Sequence, residues 1–151
     1  MIKKVQISRV FDLFVSYFFC TKIVYHSKRK GKNYLNDVYH PSLDSFPQRA
    51  IAKKLWSDDE AISGMMSIIL NTEDEAKIDK FMAKLQYVHY ATTLGGLRTT
   101  LNHPCTSSHS HMPDADRRKM GITPGMFRVS VGIEDTQDLI NDFKQAFAEL
   151  D

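Results

Sequence analysis

The sequence predicts a two-layer α/β (α+β) domain, and three observations carry that prediction. Apolar stretches of strand length, at residues 65–70 and 127–133, alternate along the chain with segments of helical period. The last such segment places Leu139, Ile140, Phe143, Ala146, Phe147 and Leu150 at intervals of three, four and seven, the spacing of an amphipathic helix lying on a sheet. At 151 residues the chain has the size of one domain with one core.

Taken in order, residues 10–20 form an aromatic, apolar patch preceded by Lys3 and Lys4 and interrupted by Asp12. A membrane-spanning helix needs about 20 apolar residues, and a signal peptide needs small residues before its cleavage site where this chain has Lys22 and Tyr25. The patch reads instead as a helix that is buried or faces a partner, or as an extension that carries no fold information. Residues 26–33, with Lys28, Arg29, Lys30 and Lys32 around Gly31, read as a solvated loop or linker.

Residues 45–56 predict a helix, with Pro47 early, where its missing N–H is harmless, and Ile51 and Leu55 on one face. Residues 62–70 predict a strand ending in Met65-Met66-Ser67-Ile68-Ile69-Leu70. Thr72 and Glu75 have capping-box spacing for the next helix, whose core stripe is Ile78, Phe81, Met82 and Leu85. A second strand over 87–91 ends at Thr92-Thr93-Leu94-Gly95-Gly96, where two glycines permit a sharp turn or close approach of a ligand. Residues 97–112 lack periodicity and read as an ordered loop. Residues 113–120 read as a short helix stopped by Gly121. Thr123-Pro124-Gly125-Met126 fits a type II turn into the strand beginning at Met126, and Asp135 caps the last helix.

Composition excludes several functions. A formal charge of +2 gives no drive toward nucleic acid or acidic membranes. Two cysteines, Cys20 and Cys105, are too few for a disulfide framework, so a reducing cytoplasm is the simpler compartment. His103, Cys105, His109 and His111 have the composition of a metal site, but their x-separated pairs fit zinc spacing poorly. Cys105 as a nucleophile needs a lowered pKa and a base, and a passive thiol is expected.

The residue that stands out is Arg128. Strand alternation sets Phe127, Val129, Val131 and Ile133 on a core face and Met126, Arg128, Ser130 and Gly132 on the other. A guanidinium in mid-strand needs an acceptor, and a carboxylate takes its fork bidentately. Two acceptors suit it: a nearby acid such as Glu134, or a carboxylate-bearing ligand.

The ordered series Val38-Tyr39-His40-Pro41, Pro47-Gln48-Arg49-Ala50-Ile51-Ala52-Lys53, Thr93-Leu94-Gly95-Gly96, His103-Pro104, Thr106-Ser107-Ser108-His109, Met120-Gly121-Ile122-Thr123-Pro124-Gly125 and Arg128-Val129-Ser130-Val131-Gly132 resembles the C-terminal region of the Cys/Met-metabolism enzymes. These are the pyridoxal-phosphate (PLP) enzymes of transsulfuration. The resemblance runs over residues 35–150. It implies the small C-terminal domain of a fold-type I PLP enzyme, a mostly antiparallel sheet with helices on one face, over residues 34–151, with residues 1–33 a divergent extension and basic linker.

In that family the arginine of this motif grips the α-carboxylate of the amino-acid substrate, which implies that role for Arg128. Thr93 stands where a serine is usual near the same carboxylate. Thr92 occupies a neighbouring place that varies with reaction type, where a glutamate is frequent. For both threonines ordinary strand-end packing is the alternative. PLP chemistry also needs a Schiff-base lysine, set by the family in a Ser-x-Thr-Lys motif that this sequence lacks. The expectation is therefore a truncated, substrate-carboxylate-binding domain, with no covalent PLP of its own and inactive without a separate cofactor domain. The alternatives are a non-catalytic remnant that self-associates or regulates, and a metal-binding module on the histidine loop.

Overall fold

The computed structural model describes residues 19, 22–24, 27–29, 32–55 and 63–151. The aromatic patch at 10–18 lies outside the described residues, as does Trp56. The main sheet has five strands: β3 (Leu35–Tyr39), β4 (Met65–Leu70), β5 (His89–Tyr90), β6 (Thr100–Asn102) and β7 (Met126–Ser130). Its order is β3-β4-β7-β6-β5, antiparallel throughout except for the β5–β6 edge pair. Ahead of it β1 (Lys28–Arg29) and β2 (Lys32–Asn33) pair antiparallel, so these residues of the basic stretch expected to be a loop are strand.

The helices are α1 (Arg49–Leu55), α2 (Glu75–Lys84), α3 (Asp114–Lys119) and α4 (Thr136–Phe147), followed by a 3-10 turn, Ala148–Leu150. Met66, Ile68 and Leu70 of β4 and Phe127 and Val129 of β7 point at α2 and α4. There the Phe81 ring meets those of Phe127 and Phe147 at 5.6 Å each, and Phe143 meets Phe19 at 5.4 Å. Burial of each such side chain contributes about 1.5–3 kcal/mol. Phe19 and Ile23, from the part of the chain without family motifs, are fully enclosed in this core.

Asp142 fastens the helix layer to the sheet edge. Its carboxylate is buried in α4 and accepts the N–H groups of Gln86, Tyr87 and Val88 at 2.8, 2.9 and 3.1 Å. Those three donors lie just before β5, where a chain leaving α2 has no backbone partner of its own.

Several local expectations are corrected. The segment 97–112 contains β6, which sits between β7 and β5; only Leu101 marks it as a core strand. The cap of α2 is Asp74, whose carboxylate accepts from Ala76 and Lys77, while Thr72 Oγ1 takes the Asp74 N–H. In α1 the buried residue is Ala52, and Ile51 and Leu55 are exposed. Ile133 lies beyond the end of β7 and is exposed, so the core face stops at Val131. The 123–126 turn closes with Met126 N–H on Thr123 O at 3.0 Å, but the glycines with positive φ are Gly95 and Gly121, so it is not type II. Gly125 is needed for a different reason: a Cβ there would lie 2.7 Å from Thr72 O and 2.9 Å from Leu70 O. As expected, α3 stops ahead of Gly121 and Asp135 caps α4, accepting from Gln137 and Asp138.

Candidate carboxylate-binding face

The sheet surface turned away from the helices carries a polar row across four strands. Tyr39 pairs with Ser67, Ser67 with Arg128, and Arg128 with Asn102. Directly paired residues present their side chains on the same face, so Arg128 stands between a serine and an asparagine. It is half-buried, and among the described residues its side chain makes no hydrogen bond and no ion pair. Half-buried guanidinium groups ordinarily find an acceptor.

Glu134, the nearby acid considered as its partner, is committed elsewhere. Its carboxylate accepts the Thr99 N–H at 2.6 Å and the Thr99 hydroxyl at 2.7 Å. Thr99 is completely buried, and its Oγ1 in turn accepts the Gly132 N–H at 2.9 Å. The Ile133 N–H bonds Leu97 O at 3.0 Å. This stitching runs so close that a Cβ on Gly132 would stand 2.5 Å from Leu97 O, which explains the glycine after Val131.

The threonine-glycine bend is tied to the same strand. Gly95 takes its left-handed φ of 69° and gives its N–H to Ser130 Oγ at 3.0 Å, while Thr100 Oγ1 donates to Thr93 O at 2.9 Å. Ser130 is two residues from Arg128 on the same face, so the structure brings the Thr93 loop to the arginine strand. The side chains of Thr92 and Thr93 are exposed, and neither packs into the strand end. On the other flank, buried Asn102 accepts a hydrogen bond from Ser107 Oγ, which draws the 103–110 loop over its end of the row. Thr99 and Asn102 were not singled out from sequence, since their only signal is polarity inside a stretch without periodicity, and Glu134 was considered only as a partner of Arg128.

The histidine loop is built as structure. His103 is buried and stacks on Phe127 at 4.8 Å; Nδ1 meets Thr106 Oγ1 at 3.0 Å and Nε2 meets Pro124 O at 2.7 Å, so both ring nitrogens are engaged. Burial pushes the Cys105 thiol up, and it donates to Thr123 O at 3.2 Å, an unreactive setting. Among the described residues no three His, Cys, Asp or Glu side chains gather as metal ligands.

The expected cofactor demands a lysine near the arginine. The strand positions on the Arg128 face are filled by Asp37, Tyr39, Met65, Ser67, Ile69, His89, Thr100, Asn102, Met126 and Ser130. Lys77, Lys80, Lys84 and Lys144 belong to α2 and α4, on the opposite side of the sheet.

Comparison with known proteins agrees with this architecture. Residues 26–148 match the family model described as Cys/Met metabolism PLP-dependent enzyme. The chain is 40% identical over 110 residues to a cystathionine beta-lyase of Coxiella burnetii, covering 72% of this chain and 27% of that protein. It is 39% identical over 87 residues to a cystathionine gamma-synthase of Haemophilus influenzae, covering 58% of this chain and 23% of that one. Among solved structures, cystathionine gamma synthase from Xanthomonas oryzae pv. oryzae, in complex with aminoacrylate and cysteine, superposes with a TM-score of 0.76 at 29% identity, over 90% of this chain and 34% of that one. The chain therefore spans about a quarter to a third of the length of these relatives. With the motif series, the five-stranded sheet and these matches in agreement, the chain belongs to the Cys/Met-metabolism PLP-dependent enzyme family.

Proposed function

We propose that this chain supplies the substrate-carboxylate side of a PLP-dependent sulfur amino-acid enzyme of transsulfuration. Arg128 receives the α-carboxylate, and the Thr92–Thr93 bend borders it. The observation that carries this reading is the half-buried Arg128 guanidinium, without an acceptor among the described residues, in the middle of a polar row. A bidentate carboxylate matches its five-donor fork. The cofactor and its lysine come from a separate cofactor domain, and the working assembly is cytoplasmic.

Two measurements test it. PLP added to the full chain alone produces no internal-aldimine absorbance band; a stable band would assign the lysine to this chain. Combined with a cofactor-bearing fragment of a cystathionine lyase, the chain restores cleavage of cystathionine, and Arg128→Lys lowers that activity about a hundredfold by misplacing the carboxylate. Equal activity of the lysine variant would remove Arg128 from the site.

A further inference from the structure

On the helix side of the sheet, away from Arg128, a cavity of about 340 Å³ opens between α2, the start of the 103–110 loop and α3. That is the lower end of the size range of small-ligand pockets. Its floor is apolar, from Ile78 and Met82, and its polar groups divide by charge. On one wall stands Arg117, whose Nε is buried and has no hydrogen-bond partner. Its terminal nitrogens hold Cys105 O and Asp114 Oδ1 only at 3.3 Å each. A buried guanidinium nitrogen without a partner is uncommon in a native fold. On the facing wall Glu75 and Asp79 occupy successive turns of α2, and neither carboxylate has an ion pair or side-chain hydrogen bond among the described residues.

Each terminal nitrogen of Arg117 keeps a second N–H beyond the long contact it makes, and such a pair suits a carboxylate. Two carboxylates opposite suit an ammonium, and the aliphatic floor suits a hydrocarbon chain. Other polar groups of the wall are already committed: His103 is bonded at both nitrogens, and Cys105 donates to Thr123. We propose that this cavity is a second ligand site, for a small zwitterionic amino acid with an apolar side chain. It is separated from the Arg128 face by the thickness of the sheet and needs neither PLP nor a partner chain.

The test uses the full chain, titrated with three matched probes and followed by amide chemical shifts. Norleucine carries both charges, hexanoate only the carboxylate and pentylamine only the ammonium. Norleucine produces saturable shifts at Ile78, Cys105 and Thr106. The single-charge probes bind about tenfold more weakly, as does norleucine to Arg117→Lys and to Asp79→Asn, each of which loses one charge-assisted contact. Asp79 is exposed, so its variant tests the site even if the Arg117 substitution disturbs the loop. Three results would overturn the proposal: no saturable shift at those amides, hexanoate binding as well as norleucine, or affinity unchanged in both variants. Shifts confined to Ser67, Asn102 and Arg128 would report the carboxylate face alone and would likewise sink the second site while leaving the proposed function intact.

Discussion

Gly95 gives its backbone N–H to the hydroxyl of Ser130 at 3.0 Å, across thirty-five positions of sequence. The bond joins the bend that carries Thr92 and Thr93 to the strand that carries Arg128. Since Ser130 is nearly inaccessible, its oxygen finds no water to replace that donor. Ser130→Ala is expected to cost about 1 kcal/mol of stability and to speed hydrogen exchange at the Gly95 amide, with little change at Gly132. Exchange measured amide by amide checks this. Unchanged protection at Gly95 would show that the bend is held by the Thr100–Thr93 bond instead.

Arg128 has the converse energetics. A cation half-removed from water and left without an acceptor is a burden on the unliganded fold. Arg128→Met keeps the length of the side chain and removes the charge, and it is expected to leave the chain as stable or to stabilise it by about 0.5–1 kcal/mol, the pattern of a residue kept for binding. Urea unfolding checks this. A loss of more than about 2 kcal/mol, the size of a broken buried network, would mean that the guanidinium supports the fold.

His40 makes stability depend on pH. It is buried at the end of β3, where Nδ1 accepts the Ser42 N–H at 3.2 Å and Nε2–H therefore donates to Ser63 O at 2.9 Å. Burial lowers its pKa from 6.5, against a raising contribution from the Ser63 carbonyl, and the Arg49 charge lowers it further. The folded chain thus binds this proton less readily than the unfolded chain, so the contribution is fully present above about pH 6.5 and is lost as the pH falls from there through the lowered folded value. The Arg118 partners Glu73 and Asp114 have carboxyls held below their ordinary 4.5 and 3.8, so their loss comes at more acid pH. The thermal midpoint is expected to fall between pH 7.5 and 5.5, and His40→Gln should flatten that interval. An equal slope in the variant would place the titration elsewhere.

Asp142 accepts three consecutive backbone N–H groups from inside a helix. Asp142→Ala strands those donors next to the core and is expected to destabilise by about 3–5 kcal/mol, and Asp142→Asn by less, since one amide oxygen still accepts. Chemical denaturation of both variants checks the order. An alanine cost under about 1 kcal/mol would mean that water reaches residues 86–88.

Reading the chain without coordinates was most successful where period and composition agree. The stripe of α4 from Leu139 to Leu150 is buried at every position that its spacing selects, and Asp135 and Gly121 mark their helix ends as their chemistry dictates. It failed where a short element owes its existence to its neighbours. Three residues of β6, one of them apolar, carry no period, and they form a strand because β7 and β5 offer hydrogen bonds on both sides. The helix over α1 was legible, but its apolar Ile51 and Leu55 face outward, a choice that period alone leaves open.

Sequence by itself determined the layer class, the position of Arg128 in a strand and the family, because alternation, helical period and an ordered motif series are local properties of the chain. Only the tertiary structure decided that Glu134 belongs to Thr99 and not to Arg128. The physical reason is that an ion pair is a competition among acceptors brought together by folding. Strand pairing put a fully buried threonine within reach of that carboxylate and left the Arg128 guanidinium without an acceptor among the described residues.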